Sequence, residues 1–154
     1  MPETTFVMLK PDAVQRRLVG EVLSRLEAKG LTLVGLKLMQ LPQALVEEHY
    51  RDHKGKHFYE PLLRFVTSGP VVVMAVRGFN AIQRVRDLMG ATSPAQALPG
   101  TIRGDFALSN QKNLIHGSDS PESAQRELGL FFAPGEILEY TRCEAEWLTG
   151  EGEA

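Results

Sequence analysis

The chain of 154 residues contains a single cysteine, Cys143, so no disulfide can form within it. One thiol in a chain of this size is typical of a reducing compartment, and we predict a cytoplasmic protein. A secretory signal consists of a basic segment followed by an apolar run, and the first residues of the chain do not show this pattern. Its uncharged apolar stretch at residues 65–76 is too short to span a bilayer and is interrupted by Pro70. We therefore predict no membrane segment.

The chain has no strong excess of either charge, because it contains 17 basic and 19 acidic residues and its net charge is −2. Such a balance creates no field that would attract nucleic acid or an anionic membrane, and we expect neither as a specific partner. The length and a hydrophobic content of 43% suit one domain with its own core. We predict that residues 1–154 form this domain. Residues 133–154 are expected to be a C-terminal extension that packs along its body.

Hydrophobic periodicity predicts the element order β-α-β, two short helices, β-α, a long loop, and β-α. The strands are predicted at residues 4–9, 31–39 and 71–76 and around His116, and the loop at residues 91–112. This order predicts an α+β fold of the ferredoxin-like type, β-α-β-β-α-β. We expect a four-stranded antiparallel sheet with helices on one face and the long loop inserted before the last strand. Asn80 and Ser120 are predicted to cap the helices that follow them.

The last predicted strand carries the residue with the most distinctive surroundings, His116. Leu114 and Ile115 before it are apolar, and the small polar residues after it lead into a helix that starts at Pro121. An imidazole is a nucleophile at neutral pH and needs no base to activate it. Glu127, on the same helix, is placed to bond the ring nitrogen that does not react. Taken alone, however, a histidine beside apolar residues is more often structural than catalytic.

Six segments together resemble the nucleoside diphosphate kinase family, over about residues 5–132. They are FVMLKPD at residues 6–12, HKGK at 53–56, SGP at 68–70, MGAT at 89–92, PGTIRGD at 99–105 and NLIHGSDS at 113–120. The last is the most specific, because a histidine within N-x-x-H-G-S-D-S is the signature of that family. The resemblance implies transfer of the terminal phosphate of a nucleoside triphosphate, typically ATP, to a nucleoside diphosphate. The implied route is ping-pong through a phosphohistidine, with broad base specificity.

The resemblance also implies roles for individual residues. His116 would be the nucleophile, Glu127 its orienting partner and Tyr50 an aromatic hydroxyl near the reacting phosphoryl group. The base would stack on Phe58, with Leu62 nearby. The ligands of phosphate and sugar would be Lys10, Arg86, Thr92, Arg103 and Asn113. Mg²⁺ is the implied cofactor, bound through the nucleotide phosphates and by no protein side chain. The implied substrates are nucleoside triphosphates and diphosphates, and the implied assembly is a homo-oligomer, either a tetramer or a hexamer.

Elementary chemistry supports these roles independently, because phosphoryl transfer needs mainly positioning and charge neutralisation. A stacking platform tolerates any base, since every base has a π-face. The chain departs from the family pattern at Ala13, where glycine is usual, and at Asn110, Gln111 and Lys112 in the loop. We expect Ala13 to matter only if its φ is positive.

Three other interpretations stay open at this point. His49, His53 and His57 follow one another at intervals of four residues, a spacing that can hold Zn²⁺ on a helix, although Gly55 interrupts the segment. A ferredoxin-like sheet can also serve as a non-catalytic nucleotide or nucleic-acid binding module. The third is a diverged relative kept for contacts or regulation, which the intact His116 disfavours.

Overall fold

Four antiparallel strands form one sheet in the computed structural model, which describes residues 2–153. The strands are β1 (Pro2–Leu9), β2 (Thr32–Met39), β3 (Val71–Phe79) and β4 (Ile115–Gly117). Their order across the sheet is β2-β3-β1-β4, and every neighbouring pair is antiparallel. The predicted ferredoxin-like sheet is therefore confirmed. Met1 and Ala154, the ends of the predicted domain, lie outside the described residues.

The helices connect these strands. They are α1 (Pro11–Gln15), α2 (Val19–Ala28), α3 (Gln43–His49), α4 (Tyr59–Val66), α5 (Ala81–Met89), α6 (Ile102–Phe106) and α7 (Pro121–Phe131), with 3₁₀ turns at Arg51–His53 and Ala145–Trp147. The short α1 was not predicted, and it forms because Pro11 has the fixed φ that suits a first helical turn. Within residues 2–153, no helix is long and apolar enough to cross a bilayer.

The helices cover both faces of the sheet rather than one face as predicted. Val7 and Leu9 of β1 pack in a core cluster with side chains of α2 and α5. Phe6 and Met8 point to the opposite face and pack with side chains of α3, α4 and α7. All four are fully buried. Because β1 is apolar on both sides, each side needs its own layer of helices to exclude water.

Asn80 precedes α5 but does not cap it with its side chain, contrary to the prediction. Its φ of 52° lies in the left-handed region, where asparagine is one of the few tolerated residues. The carboxylate of Glu3 takes the place of the cap and accepts a hydrogen bond from the N–H of Ile82 at 3.0 Å. Ser120 does cap α7, since its hydroxyl oxygen accepts the N–H of Ser123 at 3.1 Å.

The long segment before β4 contains the helix α6, whereas the prediction had an irregular loop throughout. The hydroxyl oxygen of Thr101 accepts the N–H of Gly104 at 3.0 Å and so caps this helix. Asp105 accepts the N–H of Gly100 at 2.8 Å and pairs with Arg25 of α2 at 2.7 Å. These contacts attach the segment to the body of the protein.

We expect Gly104→Ala to destabilise the protein by about 2–3 kcal/mol, the scale of overpacking. A Cβ at this position would lie 2.0 Å from the carbonyl oxygen of Leu98, and a backbone atom cannot rotate away. Gly129 in α7 is a matched control, because its Cβ would meet nothing within 4 Å. Gly129→Ala should stabilise by about 0.5–1 kcal/mol, since alanine is the better helix former. Urea unfolding measures both values, and equal effects at the two positions would contradict this account.

The C-terminal extension packs along the beginning of β2. The N–H of Leu138 donates to the carbonyl of Val34 at 2.8 Å, and the hydroxyl of Tyr140 donates to the carbonyl of Leu33 at 2.5 Å. The register of β2 against β3 shifts between Leu33 and Gly35, so Val34 is an extra residue in the ladder. Such a bulge leaves its residue without a partner in the ladder, and here the carbonyl bonds the extension instead.

Candidate active site

The antiparallel pairing of β4 with β1 brings His116 and Lys10 to the same end of the sheet. His116 lies opposite Met8 in this pairing, and Lys10 follows at the end of β1. The His116 side chain is 25% exposed, and its ring centre is 6.0 Å from that of Phe6 beneath it. The imidazole therefore packs against the apolar ring of Phe6 on one side, and its exposed part is accessible from solvent.

The turn that enters β4 has an unusual backbone conformation at Leu114. Its φ is 76°, and the N–H of Ile115 donates to the carbonyl of Asn113 at 2.9 Å. A hydrogen bond between residues i and i+2 with a positive central φ defines a rare and strained γ-turn. A bulky residue adopts this conformation only where the surroundings hold it, and such strain clusters at functional sites.

Two contacts hold Leu114 in place. The carboxylate of Asp12 accepts its N–H at 3.1 Å, and its carbonyl accepts the N–H of Lys10 at 2.9 Å. Asp12 is buried, and burial raises the pKa of its carboxyl group, although its own backbone and the charge of Lys10 oppose the rise. The start of α1 thus positions the turn that carries Asn113 and leads to His116. This role of Asp12 was not predicted from the sequence, and the only signal for it was the place of Asp12 in the segment FVMLKPD.

We expect Asp12→Ala to lower the free energy of unfolding by about 1–3 kcal/mol, because it leaves the buried N–H of Leu114 without an acceptor. Asp12→Asn is the matched control, since its amide oxygen has the same shape and still accepts that bond. Urea unfolding of the two variants measures the difference. Equal stability of the alanine and asparagine variants would show that the bond does not hold the turn.

His116 and Glu127 form a hydrogen-bonded pair, with Nε2 of the ring 2.7 Å from Oε1 of the carboxylate. The hydroxyl of Ser118 donates to the other carboxylate oxygen at 2.5 Å. Burial alone would raise the pKa of Glu127, but the hydrogen bonds from His116 and Ser118 bring the pKa below its ordinary value. Glu127 is therefore a buried carboxylate with a hydrogen bond at each oxygen, one of them to the ring of His116.

Lys10 and Asn113 form a second pair, in which Nζ donates to Oδ1 at 2.8 Å. Burial lowers the pKa of Lys10 to about 8, and the charge of Arg103 contributes to this lowering. Asn113 in turn donates through Nδ2 to the carbonyl of Thr92 at 3.0 Å. Thr92 itself is exposed at the rim. The structure thus joins three of the predicted phosphate and sugar ligands in one chain of contacts.

Arg103 lies buried in α6, and three of its N–H groups donate to backbone carbonyls. These belong to Ile115 at 2.5 Å, Asn113 at 3.2 Å and Gly90 at 3.2 Å. A guanidinium has five such donors, so two of them make no hydrogen bond within residues 2–153. Burial lowers the pKa of Arg103 to about 10, and the charge of Arg86 adds to the effect. Arg86, on α5, donates to the carbonyl of Gly117 at 3.2 Å, next to His116.

The predicted base platform lies on the segment between α3 and α4. Phe58 is exposed, and its ring centre is 5.2 Å from that of His53. Leu62 lies one turn further along α4, and its N–H donates to the carbonyl of Phe58 at 3.0 Å. Tyr50 is buried, and its hydroxyl has no hydrogen-bond partner among residues 2–153. The ring of Tyr50 packs against that of His49 with the ring centres 4.4 Å apart, and His49 in turn contacts His116.

His49 is a site residue whose place the sequence did not predict. Its ring is edge-on to that of His116 at 4.9 Å, and Nδ1 is 3.9 Å from Glu127. The proposed zinc trio with His53 and His57 does not form, because α3 ends at His49 and the chain continues in a 3₁₀ turn and loop. Among the described residues, His49 instead lies with His116 and Glu127 in a cluster whose side chains are of the kinds that bind metals.

The departures from the family pattern leave these contacts in place. Ala13 is buried in α1, and it is not among the described residues with a positive φ. Asn110, Gln111 and Lys112 are exposed, as is Cys143 in the extension.

Comparison with known proteins identifies the relatives of this chain. A family model described as nucleoside diphosphate kinase matches residues 3–137. A protein of that name from Thermomicrobium roseum is 58% identical over 148 residues, which cover 96% of this chain and 99% of that protein. One from Desulfitobacterium hafniense is 54% identical over 147 residues, again covering 96% and 99%. The structure of a halophilic nucleoside diphosphate kinase from Halobacterium salinarum in complex with CDP matches with a TM-score of 0.95 and 46% identity, over 97% of this chain and 100% of that one.

These matches extend over nearly the whole chain and include its fold. They confirm the resemblance drawn from the six sequence segments, and they do not favour a non-catalytic binding module. Kinases of this kind act on nucleotides and need a divalent metal. The chain therefore belongs to the nucleoside diphosphate kinase family, and it transfers the terminal phosphate of nucleoside triphosphates to nucleoside diphosphates.

Proposed function

We propose that the transfer runs through a phosphohistidine on Nδ1 of His116. The observation that carries this is the 2.7 Å hydrogen bond between Nε2 and Glu127. A carboxylate can only accept, so Nε2 bears the proton of the neutral ring and Nδ1 keeps its lone pair. Nδ1 attacks the terminal phosphorus, and the bond from that phosphorus to the leaving nucleoside diphosphate breaks. The second diphosphate then takes the phosphoryl group from Nδ1. Glu127 stabilises the positive charge that the ring carries in between.

Charge neutralisation is the proposed task of Lys10, Arg86 and Arg103. Their positions are supported by contacts to Asn113, to Gly117 and to three backbone carbonyls, respectively. Donors held in this way need no reorganisation when negative charge develops on the phosphoryl oxygens, which is the main source of electrostatic catalysis. Asn113 and Thr92 would bind the remaining phosphate and sugar groups.

The nucleoside is proposed to lie against Phe58 and Leu62. Phe58 offers an exposed aromatic face, and stacking on such a face does not depend on the identity of the base. The Halobacterium relative was solved with CDP, which supports a nucleoside diphosphate as ligand here. Tyr50 would act on the phosphoryl group only after its hydroxyl becomes accessible, since it is buried in this conformation.

Mg²⁺ is the proposed divalent metal, carried by the nucleotide as part of the substrate. The groups around His116 fit this role, because they are cations that bind phosphate rather than an oxygen cage for Mg²⁺. The nearby carboxylates of Asp12 and Glu127 are buried and already accept hydrogen bonds. When bound, the ion neutralises phosphate charge and helps to align the reacting groups.

Transfer from ATP to dTDP tests the proposed route. The enzyme incubated with ATP alone should gain one phosphoryl group by mass, and addition of dTDP should remove it and form dTTP. A ping-pong reaction requires this half-reaction in the absence of the acceptor. Transfer that occurs only when both nucleotides are present, with no phosphorylated enzyme, would exclude the route.

We also propose that the chain assembles into a homo-oligomer, a tetramer or a hexamer. Leu36 and Leu38 support this, since they are 51% and 69% exposed on β2, which forms an edge of the sheet. An exposed apolar edge strand is a favourable place for association. Light scattering coupled to size exclusion measures the mass, and a monomer at micromolar concentration would contradict the proposal.

Two further proposals concern the whole chain. The first is that residues 1–154 form one domain of this family, with residues 133–154 as its extension, and limited proteolysis without internal cleavage would support it. The second is a cytoplasmic location, which the exposed free thiol of Cys143 supports because it suits a reducing compartment. Cell fractionation tests the location.

A further inference from the structure

His49 is a buried imidazole that the proposed transfer does not use. Its side chain is 2% exposed, and its ring is edge-on to those of Phe6 and Phe131 at 5.9 and 5.2 Å. Within residues 2–153, neither of its ring nitrogens has a hydrogen-bond partner. Buried polar groups nearly always have one, so this ring calls for an explanation.

The unpartnered ring faces the His116–Glu127 pair. Nδ1 of His49 is 3.9 Å from Oε1 of Glu127, which is 2.7 Å from Nε2 of His116. One ligand atom from each of the three residues lies within 4.8 Å of the others. The distance of 3.9 Å is too long for a hydrogen bond. Zinc bonds of about 2.0–2.1 Å place tetrahedral ligand atoms roughly 3.3 Å apart. This separation lies between the 2.7 Å from Glu127 to His116 and the 3.9 Å from Glu127 to His49.

We propose that His49, His116 and Glu127 form a binding site for Zn²⁺. Two histidines and one carboxylate are the ligands of many zinc sites that keep a fourth position for water. The 25% exposure of the His116 side chain leaves that position a route to solvent. Ser118 completes the arrangement, because its hydroxyl bonds the second oxygen of Glu127. Such an outer hydrogen bond orients a ligating carboxylate.

The site differs in chemistry from the Mg²⁺ that accompanies the nucleotide. Imidazole nitrogens suit zinc, whereas Mg²⁺ prefers oxygen ligands in an octahedron. Zn²⁺ therefore binds at the protein groups while Mg²⁺ stays with the phosphates. The sequence alone offered His49 as a zinc ligand only together with His53 and His57, because His49 approaches Glu127 only through the packing of α3 on α7.

Zinc at this site blocks the nucleophile. When Nε2 of His116 donates its lone pair to the metal, the proton of the neutral ring must reside on Nδ1. Nδ1 then has no lone pair with which to attack phosphorus, and the Glu127 carboxylate is held by the metal. Zinc is thus a reversible inhibitor that competes with phosphorylation. This consequence rests on the proposed function, whereas the metal site does not.

Zinc titration of the chelator-treated, nucleotide-free protein tests the site by calorimetry. We expect one Zn²⁺ per chain. His49→Phe keeps an aromatic ring but removes a ligand, and it should weaken binding by more than the roughly 10–100-fold expected for Ser118→Ala, which removes only the outer bond. The double variant H53Q/H57Q is the matched control and should bind like the wild type. His49→Gln provides the same test if the phenylalanine variant does not fold.

Nitrogen NMR of ¹⁵N-histidine-labelled protein supplies a readout independent of activity. Zinc should move the Nε2 signal of His116 to a metal-bound value and convert Nδ1 to a protonated nitrogen. Unchanged zinc affinity in both His49 variants, or shifts confined to His53 and His57, would overturn the proposal. Normal transfer without zinc binding would reject the metal site alone. Zinc binding in a protein whose His116→Ala variant still transfers phosphate would instead reject the proposed function.

Discussion

Replacing His116 with alanine is expected to lower turnover by about 10⁵-fold or more, the scale observed when a covalent nucleophile is removed. The ring supplies the only nucleophile in the proposed route, and Glu127 orients it through the 2.7 Å bond to Nε2. No other group can then accept the phosphoryl unit. Incubation with labelled ATP should leave acid-labile, base-stable phosphate on the wild type and none on the variant. Quenched-flow assays and intact mass measure the two effects.

His53→Ala is the matched control for this variant. The side-chain hydrogen bond of His53 is to Lys56 at 3.4 Å rather than to Glu127, and its ring stacks on Tyr50 at 6.1 Å. We expect this variant to keep its phosphorylation and most of its turnover. Label on Ser118 or Ser120 would contradict the assignment. Both hydroxyls already make hydrogen bonds, to Glu127 and to Ser123 respectively, which disfavours them as nucleophiles.

Replacing Lys10 with methionine is expected to lower turnover by about 10²–10³-fold, the usual effect of removing one donor that stabilises the transition state. Methionine keeps much of the apolar length of the side chain but neither charge nor donors. The loss should fall mainly on the maximal rate, because charge on the phosphoryl oxygens grows as the transition state forms. Lys112→Met is the matched control, since Lys112 is exposed and directly precedes Asn113 in the sequence. Equal losses in the two variants would exclude the proposed role of Lys10.

The lowered pKa of Lys10 predicts a pH dependence. Burial brings this pKa to about 8, from an ordinary value of 10.5. Turnover should therefore fall as the pH rises through about 8 and the ammonium loses its proton, and this fall should be missing in Lys10→Met.

The same pKa predicts that the folded protein becomes more stable as the pH rises. The unfolded state binds more protons than the folded state between pH 8 and 10.5, so the free energy of unfolding rises over this window relative to Lys10→Met. Urea unfolding across the window measures the difference.

Some elements follow from the local pattern, and others depend on distant partners. The strands were predicted because their apolar residues alternate or run continuously over a few positions. Ser120 caps α7 as predicted, since the bond joins residues three apart. Asn80 does not cap α5, because its backbone is left-handed and Glu3 of β1 accepts the N–H of Ile82 instead, a bond that spans 79 residues. The helix α6 was missed, since its five residues show too little periodicity to stand out.

The sequence by itself determined the family, the sheet, and the residue with the features of a nucleophile, because these depend on motifs and on periodicity within a few neighbouring positions. Tertiary structure alone decided the strained turn at Leu114, its bond to Asp12 across 102 residues, and the approach of His49 to Glu127. It also decided that helices cover both faces of the sheet. The physical reason is that side chains far apart in sequence meet only when strands pair and helices pack. Burial, which lowers the pKa of Lys10, exists only after that packing is complete.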